Sequence, residues 1–305
     1  MLKYLIGIIV GASLVLMPLG TFSWYVDPFC FFERNTYGMY WNTERYCKET
    51  LIKDNPNYDS LLIGNSRTAW IEPDNEFTLN VAFSGATFNE IYVFLEKHLD
   101  RDKTVLIGLD YESFYNSQGF KPTDFDKSFV DYMHHLFSYE IISRSYANYF
   151  HRNKFKPSIP LGKNGNRVFV DSDLEKANAL YRTVLDGSYF RTPFTISYSP
   201  VKGAESYARD ILSKLNSLLV ERNSKYIVFI NPIFPAKQRK ILRDDIQHIE
   251  KVKHFSAVIK EIFPYVLDYS LDHPFVNKRY RDESHFLPGV GAKIIQEARR
   301  RISSN

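Results

Sequence analysis

Leu61-Leu62-Ile63-Gly64-Asn65-Ser66-Arg67-Thr68 decides the reading of this chain. A short apolar run closed by a glycine and a polar turn is the mark of a buried strand. The predicted strand, Asp59 to Ile63, delivers Ser66 directly beyond its carboxyl end. Two further strands follow in alternation with a helix. Thr78 to Phe83 is predicted as a strand ending at Ser84-Gly85-Ala86-Thr87, Phe88 to Leu99 has helical spacing, and Thr104 to Leu109 is apolar on both faces, as a central parallel strand must be.

The rhythm breaks between about Tyr111 and Pro200, where aromatic helical pieces (Phe129 to Phe150) and a Gly162-Lys163-Asn164-Gly165 turn occur. It resumes with a helix from Glu205 to Arg222, a strand from Tyr226 to Ile230, a helix from Lys237 to Ile262 and a strand from Tyr265 to Asp268. Pro288 suits the first turn of a last helix reaching about Arg301. Strands alternating with helices predict an α/β fold in three layers, flavodoxin-like, around a central five-stranded parallel sheet. No internal repeat or low-complexity tract interrupts it.

Tyr4 to Val26 carries no charge and is long enough, at roughly 34 Å of helical rise, to cross a bilayer. Lys3 and the amino terminus lie before it, so the positive-inside rule predicts a cytoplasmic N-terminus and an extracytoplasmic remainder. Trp24 and Tyr25 suit an interfacial aromatic belt. The rival reading is a cleaved signal peptide with Thr21 and Ser23 before the cut, but the run is long for such a segment. The predicted organisation is a transmembrane signal-anchor over 1–26, an irregular juxtamembrane stem over 27–57, and one α/β domain over 58–305 with an insertion at about 111–200. Cys30 and Cys47 follow the anchor; a disulfide and two free thiols are both open readings.

The chain has 305 residues, 44% hydrophobic and 24% charged, with a formal charge of +4. That composition is globular. The charge is spread out, and the densest basic stretches, Lys237 to Arg243 and Arg299 to Arg301, lie on predicted helices, so nucleic acid is not an expected partner. Neither a phosphate-cradling glycine loop nor a dinucleotide fingerprint occurs, and no cofactor is expected. His134 and His135 are adjacent and point apart on a helix, so no metal is expected either.

In parallel sheets, ligands bind beyond the carboxyl ends of the strands, where Ser66 lies. A serine is a poor nucleophile without a base. Asp282-Glu283-Ser284-His285 supplies one: the carboxylate orients the imidazole and leaves its other nitrogen to take the serine proton. Each piece alone has an ordinary structural reading, Ser66 as a helix N-cap and Asp282 with His285 as a loop hydrogen bond. Together, in this order at two strand ends, they read as a catalytic triad.

The serine after the first strand, the Ser84-Gly85-Ala86 turn after the second and the terminal Asp-x-x-His resemble the SGNH hydrolase superfamily over Asp59 to Arg301. The anchor, the stretch Val105 to Phe114 and Asp268-Tyr269-Ser270 resemble its membrane-anchored branch, which includes the D-alanine transfer proteins of teichoic acid and the alginate O-acetylation proteins. The resemblance implies Ser66 as nucleophile, His285 as base, Asp282 as its orienter, and the backbone N–H groups of Ser66 and Gly85 as oxyanion donors. It implies acyl transfer on, or removal from, a cell-envelope or exported polysaccharide, with a multi-span membrane protein as acyl donor.

One position departs from the pattern. The superfamily's oxyanion asparagine is replaced within Gly108-Leu109-Asp110-Tyr111, and an ionised Asp110 would repel an oxyanion. It could donate only if protonated; loop hydrogen bonds are the expected role. Losing one donor costs about two to three decades in rate, which favours transfer to a positioned partner over general hydrolysis. Arg67, read as either a contact to an anionic substrate group or a surface salt bridge, joins Asp110 and Asn231 as the candidate substrate-binding residues. The alternative is a non-enzymatic carbohydrate-binding or assembly protein on the same scaffold; a plain secreted lipase fits less well, since no apolar lid motif occurs.

Overall fold

The computed structural model describes residues 2–32, 45–116, 128–150, 161–191 and 201–304. The chain divides into two compact units, one of residues 1–50 with 124–160, the other of residues 51–123 with 161–305.

The second unit is α/β. Strands β1 (Ser60–Gly64), β2 (Thr78–Asn80), β3 (Thr104–Leu109), β4 (Lys225–Ile230) and β5 (Val266–Asp268) form one all-parallel sheet in the order β2-β1-β3-β4-β5. This is the flavodoxin-like order, which reverses direction between β1 and β3 and opens a crevice at the strand ends there. Residues alternate between faces along each strand. Leu62, Leu106, Ile227, Phe229 and Leu267 join Val290, Ile294 and Ile295 in one buried cluster. Leu61, Ile63, Val105, Ile107 and Val228 are buried as well, so the sheet is covered on both sides.

The helices follow from local sequence. In the first unit and at its boundary lie α1 (Leu2–Val26) and α2 (Arg45–Asp54); α3 (Ser66–Ala69) and α4 (Phe88–His98) follow β1 and β2. Thr87 and Glu90 close a capping box at the start of α4, satisfying two otherwise orphaned backbone donors. Helix α5 (Tyr111–Asn116) follows β3, and α6 (Phe129–Phe137), α7 (Tyr139–Phe150) and α8 (Asp171–Leu185) occupy the middle section. The last four are α9 (Ala204–Glu221), α10 (Pro235–Asp244), α11 (Ile246–Ile262) and α12 (Pro288–Ser304).

Three departures from the sequence reading have clear causes. The helix expected over Lys237 to Ile262 is two, because Asp245 leaves helical geometry and its carboxylate caps the next helix at the His248 N–H, 3.1 Å away. The stem contains α2, in which Lys48 and Glu49 are buried; charged residues on the inner face hid its periodicity. Strand β2 stops at Asn80, although Val81 and Phe83 still donate to Leu62 and Gly64 of β1 at 2.8 and 3.2 Å.

Close approach fixes two glycines. A Cβ on Gly64 would lie 2.5 Å from both the Gly108 carbonyl oxygen and Thr68 Oγ1, and one on Gly108 would lie 2.0 Å from Thr68 Oγ1 and 2.8 Å from the Phe229 ring. Thr68 is thereby seated against the ends of β1 and β3. Gly108→Ala is expected to destabilise the fold by about 1–3 kcal/mol or more through overpacking; a denaturation midpoint equal to the parent's would contradict the close approach.

In the first unit α1 has the length and apolarity to cross a membrane. Helices α6 and α7 pack on it, with the Phe137 ring filling the space where a Cβ of Gly20 would stand. Cys30 and Cys47 are joined in a disulfide, Cα atoms 5.1 Å apart, and the His135 imidazole stacks on Phe31 with ring centres 3.7 Å apart.

Candidate active site

The site grows from the end of β1. Asn65, not Ser66, caps α3: its side-chain oxygen accepts from the Arg67 N–H at 3.0 Å. Ser66 is therefore the first helical residue, its hydroxyl released from the capping task that a serine in such a turn commonly performs.

The partner side chains come from the loop before α12. That loop is drawn tight by a bridge between Tyr280 and Phe286 and by the Arg281 N–H donating to the His285 carbonyl at 2.8 Å. Asp282 shapes its inner turn, one carboxylate oxygen accepting from the N–H groups of Ser284 and His285, both at 2.8 Å. The same carboxylate lies 2.9 Å from His285 Nδ1, and His285 Nε2 lies 3.1 Å from Ser66 Oγ.

Protonation follows from this geometry. Against the upward pull of burial, the hydrogen bond to the His285 ring and those from the Ser284 and His285 backbone hold Asp282 down at about 2. An ionised carboxylate only accepts, so Nδ1 carries the imidazole proton and Nε2 is left to accept from the Ser66 hydroxyl. Ser66 is thus brought within hydrogen-bonding distance of His285, 219 residues away in sequence, and His285 of Asp282.

The sequence did not reveal what holds this dyad in place. Arg281 donates to Asp282 at 3.1 Å and to Asp173, at the start of α8, at 2.6 Å. Its guanidinium lies 4.9 Å over the Trp70 ring, whose edge-on neighbour is His285, ring centres 6.2 Å apart. On the other side Arg167 lies 5.6 Å from the Trp70 ring and donates to Ser84 Oγ. Arg167 arrives through the Gly162–Gly165 turn, which sits on the β2 edge, where Asn80 N–H donates to the Asn164 carbonyl at 2.8 Å. Of these residues only Arg281, beside Asp282, stood close enough in sequence to be suspected.

Arg67, Asp110 and Asn231 lie beneath the rim. Each is at most 4% exposed, so the Arg67–Asp110 ion pair is buried, while Glu112, the second partner of Arg67, is partly exposed. Its guanidinium donates to Asp110, to Glu112 at 3.2 Å, and through Nε to the Ser284 carbonyl at 2.9 Å. Glu112 also accepts from Lys237 at 3.2 Å; against burial, these two cations hold it at about 2. Burial, opposed by Arg67, pushes Asp110 above the usual carboxylate range. The second oxygen of Asp110 and the side-chain oxygen of Asn231 have no hydrogen-bond partner among the described residues. Asn231 donates weakly to Thr68 Oγ1 at 3.4 Å.

Gly85 stands exposed at φ +66°, a conformation that favours glycine, in the turn after β2. Among the described residues neither its N–H nor that of Ser66 donates to an internal acceptor. No group of three or more metal-ligating side chains forms among the described residues.

A scan against protein-family models finds no match to this chain, and a search of curated proteins finds no similar sequence.

Proposed function

We propose that this chain is a membrane-anchored, extracytoplasmic serine acyltransferase or esterase of the SGNH type, acting on acyl groups (acetyl first among them) of a cell-envelope or exported polysaccharide. The observation that carries the reading is the Ser66–His285–Asp282 chain of hydrogen bonds, 3.1 and 2.9 Å long. The strand order supports it too, with Ser66 after β1, Gly85 after β2 and the dyad before α12, the arrangement that the resemblance implies.

In the proposed reaction Ser66 Oγ attacks the acyl carbonyl as its proton passes to His285 Nε2, and Asp282 stabilises the imidazolium. The N–H groups of Ser66 and Gly85 receive the oxyanion. Collapse breaks the ester bond, with the Nε2 proton passing to the departing oxygen and leaving acyl-Ser66. A sugar hydroxyl or water then gives its proton to His285 and takes the acyl group, and that proton passes on from His285 to the departing Ser66 oxygen. The anchor would hold the site beside a multi-span membrane protein supplying acyl groups.

Asp110, where the family pattern has a donor asparagine, is paired with Arg67 under the rim. With one donor fewer, hydrolysis should be slow, and a positioned acceptor should matter more. The same position also favours the second reading, an assembly or carbohydrate-binding protein that kept the scaffold. Acetyl release from an aryl acetate by the full chain in detergent, with and without an oligosaccharide acceptor, separates them. Slow release that is accelerated and diverted to the sugar is expected; release no faster than from Ser66→Ala under both conditions would refute the enzymatic reading.

A further inference from the structure

We propose that α7 lies in the membrane interface, presenting an aromatic face to the lipid headgroup and upper acyl region beside α1. The proposal rests on the anchor reading of α1 and extends it to the middle section.

The exposed face of α7 is the reverse of a water-facing helix. Tyr139, Tyr146 and Phe150, at spacings of seven and four, fall on one stripe; they are 86%, 52% and 59% exposed. Ile141 and Ser145, on the opposite side, are buried. A soluble helix would put its charges where this one puts tyrosine and phenylalanine. Tyrosines with an apolar ring and a polar tip are the residues that membrane–water interfaces collect.

The contacts with α1 give the depth. Phe137, just before α7, packs at Gly20, and the far end of α7 packs at Phe22, with ring centres 5.6 Å to Tyr149 and 6.3 Å to Phe150. These two levels on α1 differ by two residues, about 3 Å of rise, although α7 itself runs for about 18 Å. Both contacts thus lie near one level of α1. Gly20 lies six residues, about 9 Å, inside the end of α1, a depth suited to an interfacial helix. Trp24 and Tyr25, 40% and 41% exposed, stand near the end of α1. The charged groups of the helix, Glu140 and Arg144, are compatible with the headgroup level and not with the bilayer centre.

The test uses the full chain in phosphatidylcholine vesicles. Cys30 and Cys47 are bonded to each other, so one added cysteine takes an environment-sensitive fluorophore at Tyr139→Cys or Phe150→Cys, with Leu16→Cys in α1 and Leu185→Cys in α8 as references. Nitroxides in the upper acyl chains and aqueous iodide serve as quenchers. The proposal expects labels at 139 and 150 to lose most of their emission to the lipid nitroxide and little to iodide, as label 16 is shielded from iodide, while label 185 does the reverse. Labels at 139 and 150 open to iodide would overturn it while leaving the anchor intact. Protection from both quenchers would also overturn it, by assigning the face to a second copy of the chain. A label at 16 open to iodide would remove the anchor itself and the proposal with it.

Discussion

Ser66→Ala is expected to lower acyl turnover on the order of 10⁴- to 10⁶-fold, the scale on which triad nucleophiles contribute. His285→Ala should cost about as much, and the double variant little more, because nucleophile and base act as one unit. Asp282→Asn should cost about 10⁴-fold through a different route. The asparagine oxygen can still accept from the Ser284 and His285 N–H groups, so the loop keeps its shape. Its amide, however, cannot stabilise an imidazolium and favours the tautomer that places the proton on the wrong nitrogen. With a folded-state pKa of about 2, Asp282 is ionised throughout the neutral range, so its own titration adds no pH dependence to the defect there. Steady-state rates on an aryl acetate at several pH values measure all four variants. A Ser66→Ala enzyme within tenfold of the parent would remove Ser66 as nucleophile.

Arg67→Met should be the most damaging substitution for stability near the site. It removes the cation that compensates Asp110 and cuts the tie to the Ser284 carbonyl. Breaking a buried ion pair from one side costs about 3–5 kcal/mol, which for a domain of this size lowers the melting temperature on the order of 10 °C. Glu112 suffers less, since Lys237 still holds it. The pH dependence has a definite sign. Loss of Arg67 raises the Asp110 pKa further above its unfolded value, so the variant keeps its stability below about pH 4 and loses it as pH rises towards the folded-state pKa. Adding Asp110→Asn should recover part of the loss near neutral pH by removing the charge. Thermal melts of the parent and the two variants across that range decide it; no recovery in the double variant would mean that the damage is packing alone. Arg67→Lys, which keeps the charge but cannot reach three acceptors at once, should melt closer to the parent yet turn over more slowly, because the loop carrying His285 is released.

The sequence made the sheet legible because its strands are buried on both faces: Thr104 to Leu109 could hardly be anything else, and it matches β3 to the residue. The meeting of Ser66 with Asp282 and His285 was legible because strand topology alone carries Ser66 and the loop before α12 to one rim. What stayed hidden depends on side chains reaching across the fold. Nothing about Arg67 in sequence distinguishes a side chain pointing outward from one folded under the rim to Asp110. Arg167 and Asp173 come from the middle section, where the strand–helix rhythm is lost, and their partners Ser84 and Arg281 lie 83 and 108 residues away. Turn chemistry accounts for Asp245 and Ser138: each ends one helix and caps or begins the next, and a hydrophobic pattern reads straight through them.

Fluorophosphonate labelling of the full chain, with the modified peptide located by mass spectrometry, tests the triad most directly. The account predicts a single adduct on Ser66, absent in Ser66→Ala and greatly slowed in His285→Ala. An unlabelled parent chain, or labelling that survives Ser66→Ala, would contradict it.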